Sequence, residues 1–113
     1  MRRLALQLPE AVESAHFSVA DVRVRNKIFV ALPDGDRTIV VKTTPANLDA
    51  LVAFDAETFG DEWRRRWLRV RLDRVTLPLL RDLLAEAWRL VAPKRLTPAL
   101  KQSRGGARRL TGA

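Results

Sequence analysis

The amino-acid sequence predicts an α+β fold, a two-layer sandwich in which helices cover one face of an antiparallel sheet. The chain has 113 residues, of which 47% are apolar and 30% charged, a size and composition typical of one globular domain. Stretches with helical periodicity alternate with stretches of strand periodicity. Short loops join the strands of the first half, which makes those strands antiparallel. The predicted order is helix, three strands, helix, one or two strands, helix.

The first half of the chain contains one predicted helix and three predicted strands. Good helix formers fill residues 2–8, and Pro9 ends the helix because its ring carries no amide hydrogen. Apolar and β-branched side chains then predict strands at residues 22–25, 28–32 and 37–42. We expect Asn26 and Lys27 to form the first turn, since Asn tolerates a left-handed conformation, and residues 33–36 to form the second.

The second half contains two predicted helices and a strand with one solvent-exposed face. Thr44 before Pro45 predicts a helix start, and apolar spacing continues toward Phe54. Residues 67–73 alternate strictly between apolar and polar side chains. The polar side of this strand carries Trp67, Arg69, Arg71 and Asp73. The last helix begins at residues 76–78 and runs to residue 92, with Trp88 at the edge of its buried stripe and Ala85 on the exposed side.

Residue types exclude several classes of site. The chain has no cysteine and one histidine, His16. Thiol nucleophiles, disulfides and cysteine-based zinc sites are therefore impossible, and so is a histidine pair that shares acid and base roles. No apolar run approaches the roughly 18 to 20 residues that span a bilayer, and the first residues do not resemble a signal peptide. We predict no catalytic residue, no cofactor, no metal site and no membrane contact, in a cytoplasmic protein that is a monomer or weak dimer.

Positive charge is unevenly distributed along the chain. The formal net charge is +8, yet residues 1–92 hold 15 basic and 13 acidic side chains. The remaining segment has no acidic residue and contains Lys94, Arg95, Lys101, Arg104, Arg108 and Arg109. This composition, which includes two adjacent glycines, is typical of disordered segments. We therefore predict a folded domain over residues 1–96 and a basic, disordered tail over residues 97–113.

Two groups of cations form the predicted nucleic-acid-binding site. In the Arg-rich strand segment, Trp63 and Trp67 are interleaved with Arg64, Arg65, Arg66, Arg69 and Arg71. The second group flanks the predicted hairpins and consists of Arg23, Arg25, Lys27, Arg37 and Lys42. Arginines at alternate strand positions reach successive phosphates, and neighbouring aromatic rings offer bases a stacking surface. An ordinary solvated sheet face would carry similar charges, so this alternative stays open.

Seven short stretches, spread in order over residues 4–96, carry a family resemblance. They are Leu8-Pro9-Glu10, His16-Phe17, Arg23-Val24, Lys27-Ile28-Phe29, Val41-Lys42, the segment 67–73, and Glu86-Ala87-Trp88 with the residues up to 94. In these stretches the chain resembles the MmcQ/YjbR family of small bacterial proteins. The resemblance implies an αβ fold related to CyaY-like and secretion-chaperone-like architectures, a double-wing DNA-binding arrangement and no catalytic residues. Many relatives carry glycine after His-Phe and in the first hairpin, where this chain has Ser18 and Asn26.

The sequence thus predicts a DNA-binding protein that contacts phosphates through basic hairpin wings and the Arg-rich strand. DNA ranks ahead of RNA as the partner, and the tail would add affinity without specificity. The alternative is a protein-interaction or chaperone-like adaptor that holds an acidic or extended partner segment on the open sheet face.

Overall fold

Six strands and three helices make up the described part of the chain, residues 1–33 and 37–96 of a computed structural model. The strands are β1 (Val12–His16), β2 (Val19–Val24), β3 (Lys27–Leu32), β4 (Thr38–Lys42), β5 (Phe59–Trp63) and β6 (Trp67–Arg71). The helices are α1 (Arg2–Leu6), α2 (Pro45–Phe54) and α3 (Leu77–Val91), followed by a 3-10 turn at Lys94–Leu96. The strands form one antiparallel sheet in the order β1-β2-β3-β4-β6-β5. The predicted α+β class with an antiparallel sheet is confirmed.

One face of the sheet packs against the helices and holds the core. Val41 of β4 pairs with Val30 of β3 on one side and with Leu68 of β6 on the other, and all three side chains are fully buried. The helices add residues to the same cluster, namely Ala5, Leu48, Leu80, Leu83, Leu84, Ala85, Ala87 and Trp88. Burial of this apolar surface is the main stabilising contribution to the fold. Because all three helices share this core, they lie on one face of the sheet and leave the other face open.

Both long helices begin at threonine caps. The Thr44 hydroxyl accepts a hydrogen bond from the Asn47 amide at 3.2 Å, as the sequence predicts for α2. The Thr76 hydroxyl accepts one from the Leu79 amide at 3.4 Å at the start of α3. Each cap satisfies an amide of the first helical turn that has no partner within the helix.

Trp88 is among the largest fully buried side chains and connects α3 to the segment after α1. Its indole Nε1 donates a hydrogen bond to the Pro9 carbonyl oxygen at 2.8 Å. The indole can lie in the core because this bond satisfies its polar group. Ala85, one turn earlier, is also fully buried. The prediction that Ala85 is exposed is therefore wrong, since the buried stripe extends around the helix to cover both residues.

The strand β1 is the main element that the sequence analysis does not predict. Residues 12–16 form this edge strand, and every one of its residues is exposed. Strand prediction depends on an apolar side that alternates with a polar side, so a strand without a buried side gives little signal. The strand β5 pairs with β6. The sequence predicts one or two strands between the second and third helices, and the structure has two.

Three tight turns join strand pairs through residues with positive φ. The central residues are Phe17 and Ser18 (φ 50° and 68°), Arg25 and Asn26 (52° and 67°), and Arg64 and Arg65 (51° and 59°). Positive φ at both central positions is the signature of a type I′ hairpin turn, whose twist matches the flanking strands. The turn between β2 and β3 is therefore centred on residues 25–26. The prediction of residues 26–27 is wrong by one position, because Lys27 already belongs to β3.

Two predicted segments lie outside the described residues: the predicted tail, residues 97–113, and most of the second hairpin loop, residues 34–36. Among the helices of the described ranges, none is both long and apolar enough to cross a membrane.

Candidate nucleic-acid interface

The turns of the β2–β3 and β5–β6 hairpins lie at the same end of the sheet, which we call the hairpin end. The register fixes this arrangement, because Lys42 at the end of β4 faces Trp67 at the start of β6. Six predicted site residues lie at or beside this end: Arg25, Lys27, Lys42, Arg64, Arg65 and Arg66. The other four lie elsewhere, Arg37 and Arg71 at the opposite end and Arg23 and Arg69 on the open face.

The two turns at the hairpin end are about three strand spacings apart. Neighbouring strands lie roughly 4.8 Å apart, so the hairpin centres are separated by roughly 14 Å, with the end of β4 between them. The DNA major groove is about 12 Å wide. The β3–β4 hairpin, which the sequence analysis pairs with the first as a second wing, lies at the opposite end because consecutive antiparallel hairpins alternate between ends. The hairpins that share one end are therefore β2–β3 and β5–β6, whereas the two hairpins considered as wings from the sequence lie at opposite ends.

Arg23 is held on the open face by a network of hydrogen bonds. Its Nε and Nη2 donate to the two Asp21 carboxylate oxygens at 2.8 and 3.1 Å. Its Nη1 donates to Oδ1 of Asn26 at 3.1 Å, and Nη2 also reaches the Ala15 carbonyl oxygen at 3.3 Å. Asp21 is only 1% exposed and needs a cationic partner. The hydrogen bond with Asp21 raises the pKa of Arg23. This guanidinium group is consequently less accessible to a phosphate than its neighbours.

Four other predicted arginines form ion pairs on the surface. The pairs are Arg25–Glu10, Arg65–Asp49, Arg69–Glu62 and Arg71–Asp73. The hydrogen bond from Arg25 holds the pKa of Glu10 below its usual value, and the hydrogen bond from Arg71 does the same for the pKa of Asp73. All eight side chains are roughly half exposed. Because exposed ion pairs contribute little to stability, a phosphate can replace the carboxylate at small cost.

The hairpin end also carries cations that no carboxylate of the described ranges neutralises. Lys27 and Arg66 are exposed and form no ion pair within those ranges. Lys42 and Arg64 contact aromatic rings instead of acids. Arg37, at the opposite end, likewise has no described acidic partner. The four cations at the hairpin end therefore leave it with uncompensated positive charge.

Two tryptophans and two cations lie side by side in what we call the aromatic row, defined by Lys42, Trp67, Trp63 and Arg64. The row crosses β4, β6 and β5, because Lys42 faces Trp67 and Trp67 faces Trp63. The sequence shows the two tryptophans near each other in the chain but does not show that Lys42 is their neighbour. That contact depends on pairing between β4 and β6, which are far apart in the chain and separated by α2. Within residues 1–33 and 37–96, no three acidic or histidine side chains form a group that could hold a metal ion.

This fold and surface define a small α+β domain whose open sheet face carries clustered cations at one end. The chain belongs to the YjbR family, whose model matches residues 6–90. The resemblance stated from the sequence is thereby confirmed. The YjbR family is not a known enzyme family.

The chain is also similar to a solved structure, the crystal structure of Deinococcus radiodurans protein DR2400, which carries a DUF419 domain. The TM-score is 0.72 at 22% sequence identity, and the match covers 92% of this chain and 84% of that chain. At this identity the likeness shows the fold alone. No curated protein matches the chain.

Proposed function

We propose that this YjbR domain binds DNA by placing the hairpin end against the phosphate backbone. The observation that carries the proposal is the position of two basic type I′ turns, residues 25–26 and 64–65, at one end of the sheet with Lys42 between them. Lys27 and Arg66 add positive charge that no carboxylate of residues 1–33 and 37–96 offsets in an ion pair. Cations on turns roughly 14 Å apart can contact phosphates on both sides of one groove.

The backbone of the β5–β6 turn supports a binding role. Arg64 and Arg65 both adopt left-handed conformations, which disfavour residues with a Cβ atom. The Arg65 amide donates to Oδ1 of Asp61 at 2.9 Å, and the Arg66 amide donates to the Trp63 carbonyl oxygen at 3.0 Å. A turn fixed in this way projects its arginines from defined positions, which reduces the entropy lost on binding.

Fluorescence anisotropy with a short labelled duplex, measured over a salt series, tests this function. About four phosphate contacts predict a log–log slope of about −3.6, or roughly a hundredfold loss of affinity between 50 and 200 mM salt. Exchange of one cation on each hairpin, Lys27→Gln with Arg66→Gln, should make the slope shallower by about 2.

A charge-matched control locates the interface. Arg37→Gln with Arg81→Gln removes the same charge, but Arg37 lies at the opposite end of the sheet and Arg81 lies on α3. This control should leave the slope unchanged. An equal effect of both double variants would mean that overall charge, and not the hairpin end, determines binding. Absence of any binding at about 50 mM salt, where phosphate contacts are strong, would exclude the DNA-binding function.

A second candidate function, the protein-interaction adaptor, is favoured by a different surface. All five residues of the edge strand β1 are exposed, and Phe17 in the adjoining turn is 89% exposed. An exposed edge strand can pair with an extended partner segment. Phe17→Ser separates the two functions, since it should leave DNA affinity unchanged. If the protein instead captures a polypeptide after nuclease treatment, and Phe17→Ser abolishes that capture, the adaptor function is the correct one.

A further inference from the structure

The aromatic row places two indoles at paired strand positions, with a cation beside each of them. Trp67 and Trp63 are paired across β5 and β6, just beyond an irregularity in the register between Asp61 and Trp63. Nζ of Lys42 lies 5.0 Å from the Trp67 ring centroid, and Cζ of Arg64 lies 4.7 Å from the Trp63 ring centroid. Both indoles therefore lie in a field of positive charge on the open face.

Trp63 is not needed to fill the core. Its side chain is 57% exposed, whereas Trp88 is fully buried and its indole is bound to Pro9. An exposed tryptophan offers a large, flat apolar ring to a ligand, together with one indole N–H donor. The exposure of Trp63 beside half-buried Trp67 thus indicates a surface suited to a flat, apolar ligand group.

The flanking charges indicate which flat group fits. Neither Lys42 nor Arg64 forms an ion pair with a carboxylate of residues 1–33 and 37–96. Cation–π contacts at exposed positions are weak, so both side chains can turn from the rings to an anionic ligand. A nucleotide offers both features, a base that stacks on indole and a phosphate that pairs with a cation.

Arg69 extends the positive charge along β6 from the aromatic row. It faces Gly60 of β5, and a Cβ atom at Gly60 would lie only 2.8 Å from Cζ of Arg69. The missing side chain at Gly60 therefore lets the guanidinium group lie over the edge strand. Nη1 of Arg69 lies 3.4 Å from Oε1 of Glu62, and both side chains are about half exposed. A phosphate can therefore replace Glu62 as the partner of Arg69. A nucleic-acid strand that follows β6 would meet a third cation here, after Lys42 and Arg64.

We propose that the aromatic row binds the unpaired bases of single-stranded DNA. This inference rests on the proposed function and names the form of DNA that the surface selects. In a duplex, each base is already stacked between its neighbours and offers no free face to an indole. In a single strand the bases can turn outward and stack on Trp63 and Trp67. The phosphates of the same strand then contact Lys42, Arg64 and Arg69.

The test compares the intact protein with Trp63→Ala on two probes, labelled oligodeoxythymidylate of about 12 nucleotides and a duplex of the same length. The intact protein should bind the single strand more tightly. Trp63→Ala should weaken single-strand binding roughly tenfold or more and leave duplex binding unchanged. Phe54→Ala is the matched control, because Phe54 is 76% exposed at the end of α2 and lies outside the aromatic row. It should change neither affinity.

Tryptophan fluorescence gives a readout that does not depend on affinity. Bases that stack on exposed Trp63 and half-buried Trp67 quench the emission of these two indoles, whereas the buried Trp88 keeps its emission. Single-stranded DNA should therefore quench part of the signal and duplex DNA should not. Trp63→Phe retains a ring and should recover most of the single-strand affinity that Trp63→Ala loses, which separates stacking from damage to the fold.

The outcomes separate this inference from the proposed function. If the duplex binds with the predicted salt slope while Trp63→Ala has no effect on the single strand, the aromatic row is not a base-binding site and the DNA-binding function stands. Equal affinity for both probes without quenching also overturns the inference. If neither probe binds, both proposals fail. Oligouridylate that binds as tightly as oligodeoxythymidylate would support stacking on unpaired bases and show that the sugar is not distinguished.

Discussion

Arg23 and Arg66 are both arginines of the predicted site, but the structure gives them different surroundings. Arg23 donates hydrogen bonds to Asp21, Asn26 and the Ala15 carbonyl group. Arg66 is exposed and has no acidic partner within the described ranges. A count of arginines cannot distinguish these cases, because accessibility to a ligand depends on what each guanidinium group already contacts.

Some of these pairs could be predicted from the sequence and others could not. Arg23 and Arg71 each pair with an aspartate two positions away, Arg23 with Asp21 inside β2 and Arg71 with Asp73 in the turn after β6. Pairs this close in the chain can be inferred from the sequence, and strand alternation predicts the one inside β2. The partners of Arg25 and Arg65, in contrast, are 15 and 16 residues away in the chain. Those contacts require the tertiary fold, so the sequence overestimates the number of unpaired cations at the site.

Removal of the Arg23 guanidinium tests whether it serves the fold. Arg23→Ala should lower the melting temperature by roughly 10 °C or more, because the buried Asp21 carboxylate loses its partner. Arg71→Ala, which breaks an exposed pair, should lower it by less than roughly 3 °C. Removing Asp21 together with Arg23 should recover most of the lost melting temperature. Equal melting temperatures for Arg23→Ala and Arg71→Ala would show that Arg23 is as available to ligands as the surface arginines.

The connection from α2 to β5 is stabilised by one carboxylate group. Asp55 follows the last residue of α2, and its oxygens accept hydrogen bonds from the Thr58 hydroxyl at 2.5 Å and from the amides of Glu57 and Thr58 at 3.2 and 3.3 Å. The hydrogen bond from the Thr58 hydroxyl is the largest cause of the lowered pKa of Asp55. This turn directs the chain into β5 and so positions one half of the β5–β6 hairpin.

The lowered pKa predicts how stability depends on pH at this turn. A carboxyl group whose pKa is lower in the folded state stabilises the fold above its ordinary value of 3.8, and that contribution is lost as the pH falls through the folded value. Asp55→Asn should therefore melt at a lower temperature than the unsubstituted protein at pH 7. The difference should begin to shrink as the pH falls below about 4, because the unfolded state then binds a proton at this position, and it should be smallest below the lowered folded pKa, where both side chains are neutral. Thermal unfolding from neutral to acidic pH measures it.

Glu57→Gln is the control for this pH dependence. Glu57 lies two positions along, and its side chain is 77% exposed in its contact with Arg74. Its exchange should leave the melting temperature at pH 7 nearly unchanged. A constant difference between Asp55→Asn and the unsubstituted protein at every pH would contradict the role of the Asp55 charge.

The elements differ in how clearly the sequence indicates them. Helix α2 begins where the Thr44-Pro45 pair places it, because the cap and the fixed backbone of proline act locally. The alternation in β6 is likewise confirmed by a buried, exposed, buried, exposed order from Leu68 to Arg71. In contrast, β1 forms only by pairing with β2 and lacks an apolar side. Elements defined by local chemistry can be predicted, whereas an edge strand defined by its neighbour cannot.

Sheet topology decides which cations lie together. The hairpin end unites residues from β3, β4 and the β5–β6 turn, although α2 separates β4 from β5 in the chain. The sequence predicts the fold class and identifies the candidate cations, but it does not show which hairpins share an end of the sheet, since strand order is set by long-range packing. Charge on residues 97–113 is a separate contribution, because those residues hold four cations and no aromatic side chain.

Neutralising the tail should therefore change affinity without changing the preference for single strands. A variant in which Lys101, Arg104, Arg108 and Arg109 are all exchanged for glutamine lowers the formal net charge of +8 by four. If all four contact phosphates in the intact protein, the log–log salt slope on single strands becomes shallower by about 3, at about 0.7 per contact. The ratio of single-strand to duplex affinity should persist, because stacking on Trp63 and Trp67 requires no tail charge. Loss of that ratio, or of all binding at low salt, would place the site in the tail and not on the sheet.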